Sequence, residues 1–142
     1  MTLKPNKNSA PLWAITLAEA SVRIANQTLS PSDLLEAYLE RIAAVDDRIH
    51  SYIHVAVEQA RIAAEQAGKD IAAGHWRGPL HGLPFAVKDN YDVAGMPATA
   101  GSRLRLQHVP LQDAALVQQL KAAGAVLIGK LSTWEFGTGN GG

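Results

Sequence analysis

Gly78-Pro-Leu-His-Gly-Leu-Pro-Phe-Ala-Val-Lys-Asp-Asn90 is where this chain changes character. The approach to it, from Gly74 to Pro84, is rich in glycine and proline and reads as loop. Phe85-Ala-Val87 is short, apolar and β-leaning, and the run ends at Lys88. Downstream, Asp113 stands where a helix cap belongs, ahead of Leu116, Val117 and Leu120. That helix is expected to close at Ala123, with Gly124 just past its end. Ala125-Val-Leu-Ile128 then reads as a second buried strand. Strand, helix, strand predicts a parallel pair joined by a right-handed crossover, and so an α/β fold.

Upstream of this stretch the chain reads as helix. Thr16-Leu-Ala-Glu19 fits a capping box and opens a short helix from Leu17 to about Asn26. Ser30, Pro31 and Asp33 make a second start signal: a cap, a proline at the first helical position, and an acid at the positive end of the dipole. Leu34, Leu35, Tyr38, Leu39, Ile42 and Val45 then recur at helical spacing, until Asp46 and Asp47 break the pattern. A third, alanine-rich helix is expected from Val55 to Ala73, with Gly68 weakening its second half.

Composition narrows the function. The chain has 142 residues, about one ordinary domain. Its 13 basic and 13 acidic residues cancel, which argues against a strongly basic nucleic-acid binder and against a polybasic membrane surface. The absence of cysteine excludes disulfides, thiolate catalysis and cysteine-held metals. No apolar run approaches the roughly 18 residues that a membrane span needs. Residues 1–15 read as a polar N-terminal segment, and no secretory h-region follows Pro11. A soluble, cytoplasmic setting is the default expectation.

Lys88 is the leading candidate for chemistry. A lysine at the C-terminal end of a buried strand lies where α/β proteins place ligands, and desolvation there favours the neutral amine. The plainer alternative is a lysine that reaches into solvent or pairs with Asp89. Ser102 and Ser132 have no second base or oxyanion element beside them in the sequence. His50 and His54, four apart, could share a helix face, but no third metal ligand accompanies them. His81 reads as loop packing. Gly137-Thr-Gly-Asn-Gly141 imitates part of a dinucleotide fingerprint and lacks its helix and acid.

The block Gly78 to Asn90 resembles the opening motif of the amidase signature family. The resemblance continues in order through Thr99-Ala-Gly-Ser102, Asp113-Ala-Ala-Leu-Val117, Gly124-Ala-Val-Leu-Ile-Gly-Lys130 and Trp134-Glu-Phe-Gly137. It implies a central mixed sheet covered by helices, of which residues 16–142 would be the N-terminal portion of one domain. It also implies hydrolysis of the carbon–nitrogen bond of a small-molecule carboxamide through an acyl-enzyme, with no metal and no organic cofactor. The family's chemistry is a Ser–cis-Ser–Lys triad, and Lys88 matches its lysine. Thr138 and Gly139 fall in a segment that lines the family's substrate pocket. Both serines of the triad lie in a Gly/Ser-rich run downstream of this segment, and no such run occurs here. The expected picture is therefore an incomplete fold that stops before its catalytic serines and is inactive alone.

Two other readings stand beside that one. Some family members are the glutaminase (A) subunit of a glutamyl-tRNA amidotransferase. Those tend to carry Met-Asp-Glu-Phe where this chain has Thr133-Trp-Glu-Phe136, and a cysteine near Thr99 to Ser102, which this chain lacks. Both departures lean toward a stand-alone amidase. The third reading is a non-catalytic remnant or interaction module. If residues 1–142 fold alone they must hide strand edges, so a weakly stable, association-prone chain is expected. The acyl group of the substrate and homo-oligomer formation are not legible in these residues.

Overall fold

Two helices begin where their caps stand. In the computed structural model, which describes residues 10–139, Thr16 Oγ1 accepts the Glu19 N–H at 3.1 Å and opens α1, Leu17–Ala25. Ser30 Oγ accepts the Asp33 N–H at 2.9 Å and opens α2, Pro31–Ile49, with Pro31 in its first turn. Residues 1–9 of the polar segment and 140–142 of the glycine-rich end lie outside the described residues.

Asp46 and Asp47 do not end α2. The helix runs through them and stops at His50, which adopts the left-handed conformation at φ 49°. Asp46 turns its carboxylate forward instead. It accepts the Ser51 hydroxyl, the Ser51 N–H at 2.9 Å and the Tyr52 N–H at 3.2 Å. The Ser51 hydroxyl, with those two N–H groups, holds this carboxyl below its ordinary range.

That turn launches a strand the periodicity did not predict: β1, Tyr52–Val55. Four residues are too few to establish a period, and the alanine pattern of the following helix overran them. That helix, α3, is Val57–Ala72 rather than Val55 to Ala73. Gly68 sits inside it without interrupting it. His50 and His54 therefore lie on different elements, not on one helix face.

The remaining elements are β2, Pro84–Lys88; α4, Ala115–Ala122; and β3, Val126–Leu131. The strands form one mixed sheet in the order β1-β3-β2. β3 runs parallel to β2, as expected, and antiparallel to β1. Asp113 does not cap α4; Ala114 holds the cap position and makes no side-chain cap bond. Asp113 accepts the Ala94 N–H at 2.8 Å and lies 2.7 Å from Lys121 Nζ, tying the loop after β2 to the far end of α4.

Both faces of β3 are covered, which explains its unbroken apolar run. Val126 and Ile128 pack with Leu35, Leu39, Ala60 and Ala64 of α2 and α3. Leu127 faces the other way, onto Val87, Val93 and Val117. Alanines on α3 let that helix lie close to the sheet. A third cluster, Ala20, Ile24, Leu29, Leu34, Ile71 and Leu83, fastens α1 to the rest. No helix among the described residues is long and apolar enough to cross a membrane.

The closest approach in the sheet is at Gly129. A Cβ there would land on His54 O and stand 3.1 Å from Val55 Cα. Gly129→Ala is thus expected to force β1 away from β3 and cost about 2–3 kcal/mol, in the range of overpacked cores. Urea unfolding checks this; a loss under about 0.5 kcal/mol would show that β1 yields freely.

Candidate functional site

The parallel pair places Lys88 at the C-terminal end of β2, opposite Leu131 of β3. The ladder continues one residue further, because the Asp89 N–H donates to Leu131 O at 2.9 Å. Successive side chains of a strand point to opposite faces, so Lys88 and Asp89 diverge. Lys88 is half-buried and lines a depression of about 370 Å³ with Ser132, Thr133 and Trp134. Asp89 points inward and is only 1% exposed.

The partner of Asp89 is Lys130, not Lys88. Lys130 lies inside β3 and is 0% exposed. Its Nζ stands 3.1 Å from Asp89 Oδ1 in an ionic contact, and donates to Tyr91 O at 2.8 Å and Pro97 O at 3.1 Å. Asp89 Oδ2 accepts the Thr99 N–H at 3.1 Å and the Thr99 hydroxyl. Every charge in this cluster is matched and nearly every polar atom has a partner, which a buried ion pair requires. Among the described residues, no carboxylate lies within 4.0 Å of Lys88 Nζ. Reading the sequence missed Lys130. It stands in the apolar strand Val126–Leu131, beside a strand that Asp89 follows, and only the pairing of the two tells it from a lysine that reaches solvent.

The loop held by this pair reaches over to the last turn. Ala100 N–H donates to Asp89 O at 3.3 Å, and Ala100 O accepts the Phe136 N–H at 2.7 Å. Phe136 is left-handed, at φ 49°, in the short 3₁₀ turn Glu135–Gly137. This brings Gly137 against Lys88: a Cβ on Gly137 would stand 3.2 Å from Lys88 Nζ and 3.4 Å from Asn90 Nδ2. Glycine leaves the amine reachable from that side.

The two proposed substrate-lining residues sit just beyond. Thr138 is exposed, and its hydroxyl donates to Glu135 O at 3.2 Å. Gly139 packs on the Trp134 indole, with a hypothetical Cβ 2.5 Å from Trp134 Cγ. The turn thus brings Gly137, rather than Thr138 or Gly139, against Lys88. Ser132 shares the depression with Lys88, and no hydrogen bond joins them among the described residues. Ser102 is buried and accepts the Leu104 N–H at 3.2 Å, as a cap does.

His81 lies ahead of β2, at the opposite end of the strand from Lys88. It is 1% exposed and its Nδ1 accepts the Arg77 N–H at 3.2 Å. Burial pushes its pKa below the ordinary histidine value, and the neighbouring Arg77 adds to this. Its ring fills the space beside Gly124, whose φ of +83° no other residue adopts easily. It acts in packing, as its loop position implies. No group of three or more His, Asp or Glu side chains among the described residues could hold a metal ion.

Comparison with known proteins is consistent across sequence and fold. The Amidase family model matches residues 33–142. The chain is 42% identical over 129 residues to the (A) subunit of the glutamyl-tRNA(Gln) amidotransferase of Anaeromyxobacter sp. (strain K), covering 91% of this chain and 26% of that protein. It is 41% identical over 128 residues to an amidase of Pseudomonas putida, covering 90% and 27%. The native peptide amidase of Stenotrophomonas maltophilia superposes with a TM-score of 0.83 at 36% identity, over 89% of this chain and 26% of that one. The chain spans about a quarter of the length of the curated relatives it matches.

Proposed function

Because the chain belongs to the amidase family, we propose that it is the front of a serine hydrolase that cleaves the carbon–nitrogen bond of a carboxamide, with Lys88 as its base. The observation that carries this reading is the position of Lys88. It ends a parallel strand, borders an open depression, has no carboxylate partner among the described residues, and faces a glycine turn.

Such an amine suits the chemistry. A serine hydroxyl is a weak nucleophile near neutral pH and needs a base within reach. In its neutral form Lys88 Nζ takes a proton from a bridging serine, which takes one in turn from the nucleophilic serine. The serine oxygen attacks the carbonyl carbon, and backbone N–H groups stabilise the oxyanion. The C–N bond breaks as the proton passes to the departing ammonia or amine. Water then releases the carboxylate from the acyl-enzyme. Thr138 and Gly139, which follow Gly137 in the chain, are proposed to contact the substrate as it approaches.

The 142 residues hold no Gly/Ser-rich run to supply the two serines. The chain by itself is therefore expected to hydrolyse no amide above the buffer rate. Purified residues 1–142 assayed on aryl, aliphatic and amino-acid amides check this, alongside the intact mass of the native species that carries the sequence. A heavier species with serine-dependent amidase activity supports the proposal. Hydrolysis by residues 1–142 alone, lost in Lys88→Ala, would move the nucleophile into this chain.

A second reading, the glutaminase subunit of a glutamyl-tRNA amidotransferase, is favoured by the 42% identity to such a protein. Thr133-Trp-Glu-Phe136 and the lack of cysteine favour the stand-alone amidase. Copurification of the native protein with partner subunits would decide for the former.

A further inference from the structure

The buried pair Asp89–Lys130 touches no expected substrate, yet it lies directly behind Lys88. Its cost is large: two charges are withdrawn from water within one sheet end. An apolar pair would close that space at less expense. The pleat already turns Asp89, the acid next to Lys88 in the chain, to the far face of β2, and what Lys130 does there is balance its charge.

We propose that Lys130 is a positioning residue for Lys88: it balances the charge of the Asp89 carboxylate behind the strand end, and through Thr99 and Ala100 it seats the Glu135–Gly137 turn beside the Lys88 amine. The connection is continuous. Lys130 Nζ holds Tyr91 O and Pro97 O, which fixes both ends of the loop that crosses the sheet end. Asp89 holds Thr99 through its N–H and hydroxyl. Ala100 follows and receives the Phe136 N–H at 2.7 Å, which places Gly137 against Lys88 Nζ.

Asp92 in the loop is shared by Arg105 at 3.7 Å and His108 at 3.5 Å. Glu135 on the turn makes no ion pair with Lys88 among the described residues. Asp89 is the acid next to Lys88 in the chain, and Lys130 is its counter-ion. Removing Lys130 leaves a carboxylate one residue from Lys88 with no other cation beside it, and a nearby negative charge favours the ammonium. Removing Asp89 does the reverse. This inference rests on the reading of Lys88 as base for its purpose, but not for its test.

The test is the acetylation rate of Lys88 in the 142-residue chain. A limiting acetylating reagent is used at fixed pH, and the rate is read from the Lys88 peptide by mass spectrometry. Lys69 and Lys121 serve as internal references. Lys130→Gln keeps donors for the two carbonyls while removing the charge. It is expected to slow Lys88 acetylation about tenfold, because the unbalanced Asp89 charge favours the unreactive ammonium. Asp89→Asn is expected to speed it several-fold, and the double variant to return it to within about threefold of the parent chain. A purely structural role for the pair would not move the two single variants in opposite directions. If Lys130→Gln does not fold, Asp89→Asn decides alone. A Lys88 rate within twofold of the parent chain in the folded variant overturns the proposal. Unchanged catalysis by Lys88→Ala in the native protein would instead overturn the base assignment and leave this electrostatic coupling standing.

Discussion

Under the proposed base assignment, Lys88→Ala in the native protein that carries this sequence is expected to lower amide hydrolysis by about 10⁴- to 10⁶-fold, the range seen when a member of a serine triad is removed. The loss should fall on kcat. Without a base the nucleophilic serine stays protonated, and neither attack nor protonation of the leaving amine is assisted. KM should change little, since the depression around Lys88 keeps Ser132, Thr133 and Trp134. Lys88→Arg is expected to be nearly as inactive, because a guanidinium does not deprotonate in proteins. The fold should survive both changes: Lys88 is half-buried and forms no ion pair among the described residues. Thermal melting beside kinetics separates the two effects. Retention of a tenth or more of the parent activity in a well-folded Lys88→Ala protein would remove Lys88 from the base role.

The elements that the sequence exposed are those with local signals. Thr16 and Ser30 cap the helices they precede, because a hydroxyl beside an orphan N–H needs no tertiary partner to act. The parallel strands followed from apolar runs bounded by glycine and proline, and the mixed α/β class followed from their order. The misses share a cause. Asp46 and Asp113 both looked like local punctuation, yet each binds groups that the fold brings to it: Ser51 and Tyr52 for one, Ala94 and Lys121 for the other. β1 was hidden because its four residues owe their strand conformation to pairing with β3, 74 positions later at Val55↔Gly129. At the site, Lys88 was legible as a strand-end lysine, whereas Lys130 was not. Nothing local distinguishes a lysine that turns inward from one that reaches solvent; the difference is Asp89, Tyr91 and Pro97 arriving from a neighbouring strand and loop.

Lys130→Met is expected to destabilise residues 1–142 by about 3–5 kcal/mol, the cost of breaking a buried ion pair from one side. Three groups lose their partner at once: the Asp89 carboxylate and the carbonyls of Tyr91 and Pro97. The carboxylate dominates, because an uncompensated buried charge costs more than an unbonded carbonyl. Adding Asp89→Asn removes that charge while preserving an acceptor for the Thr99 N–H and hydroxyl. The double variant should therefore regain most of the loss, ending about 1–2 kcal/mol below the parent chain; because Asp89→Asn alone leaves the Lys130 ammonium unpaired, the coupling between the two sites should exceed about 2 kcal/mol. Urea unfolding of the four proteins measures all three values. Raising the salt concentration should leave the coupling unchanged, since a pair at 0% and 1% exposure is shielded from counter-ions. Additive losses, or a single-variant loss under about 1 kcal/mol, would mean that water or a rearranged loop replaces Lys130 at little cost. The pair would then be neither the anchor of the sheet end nor the balance of charge behind Lys88.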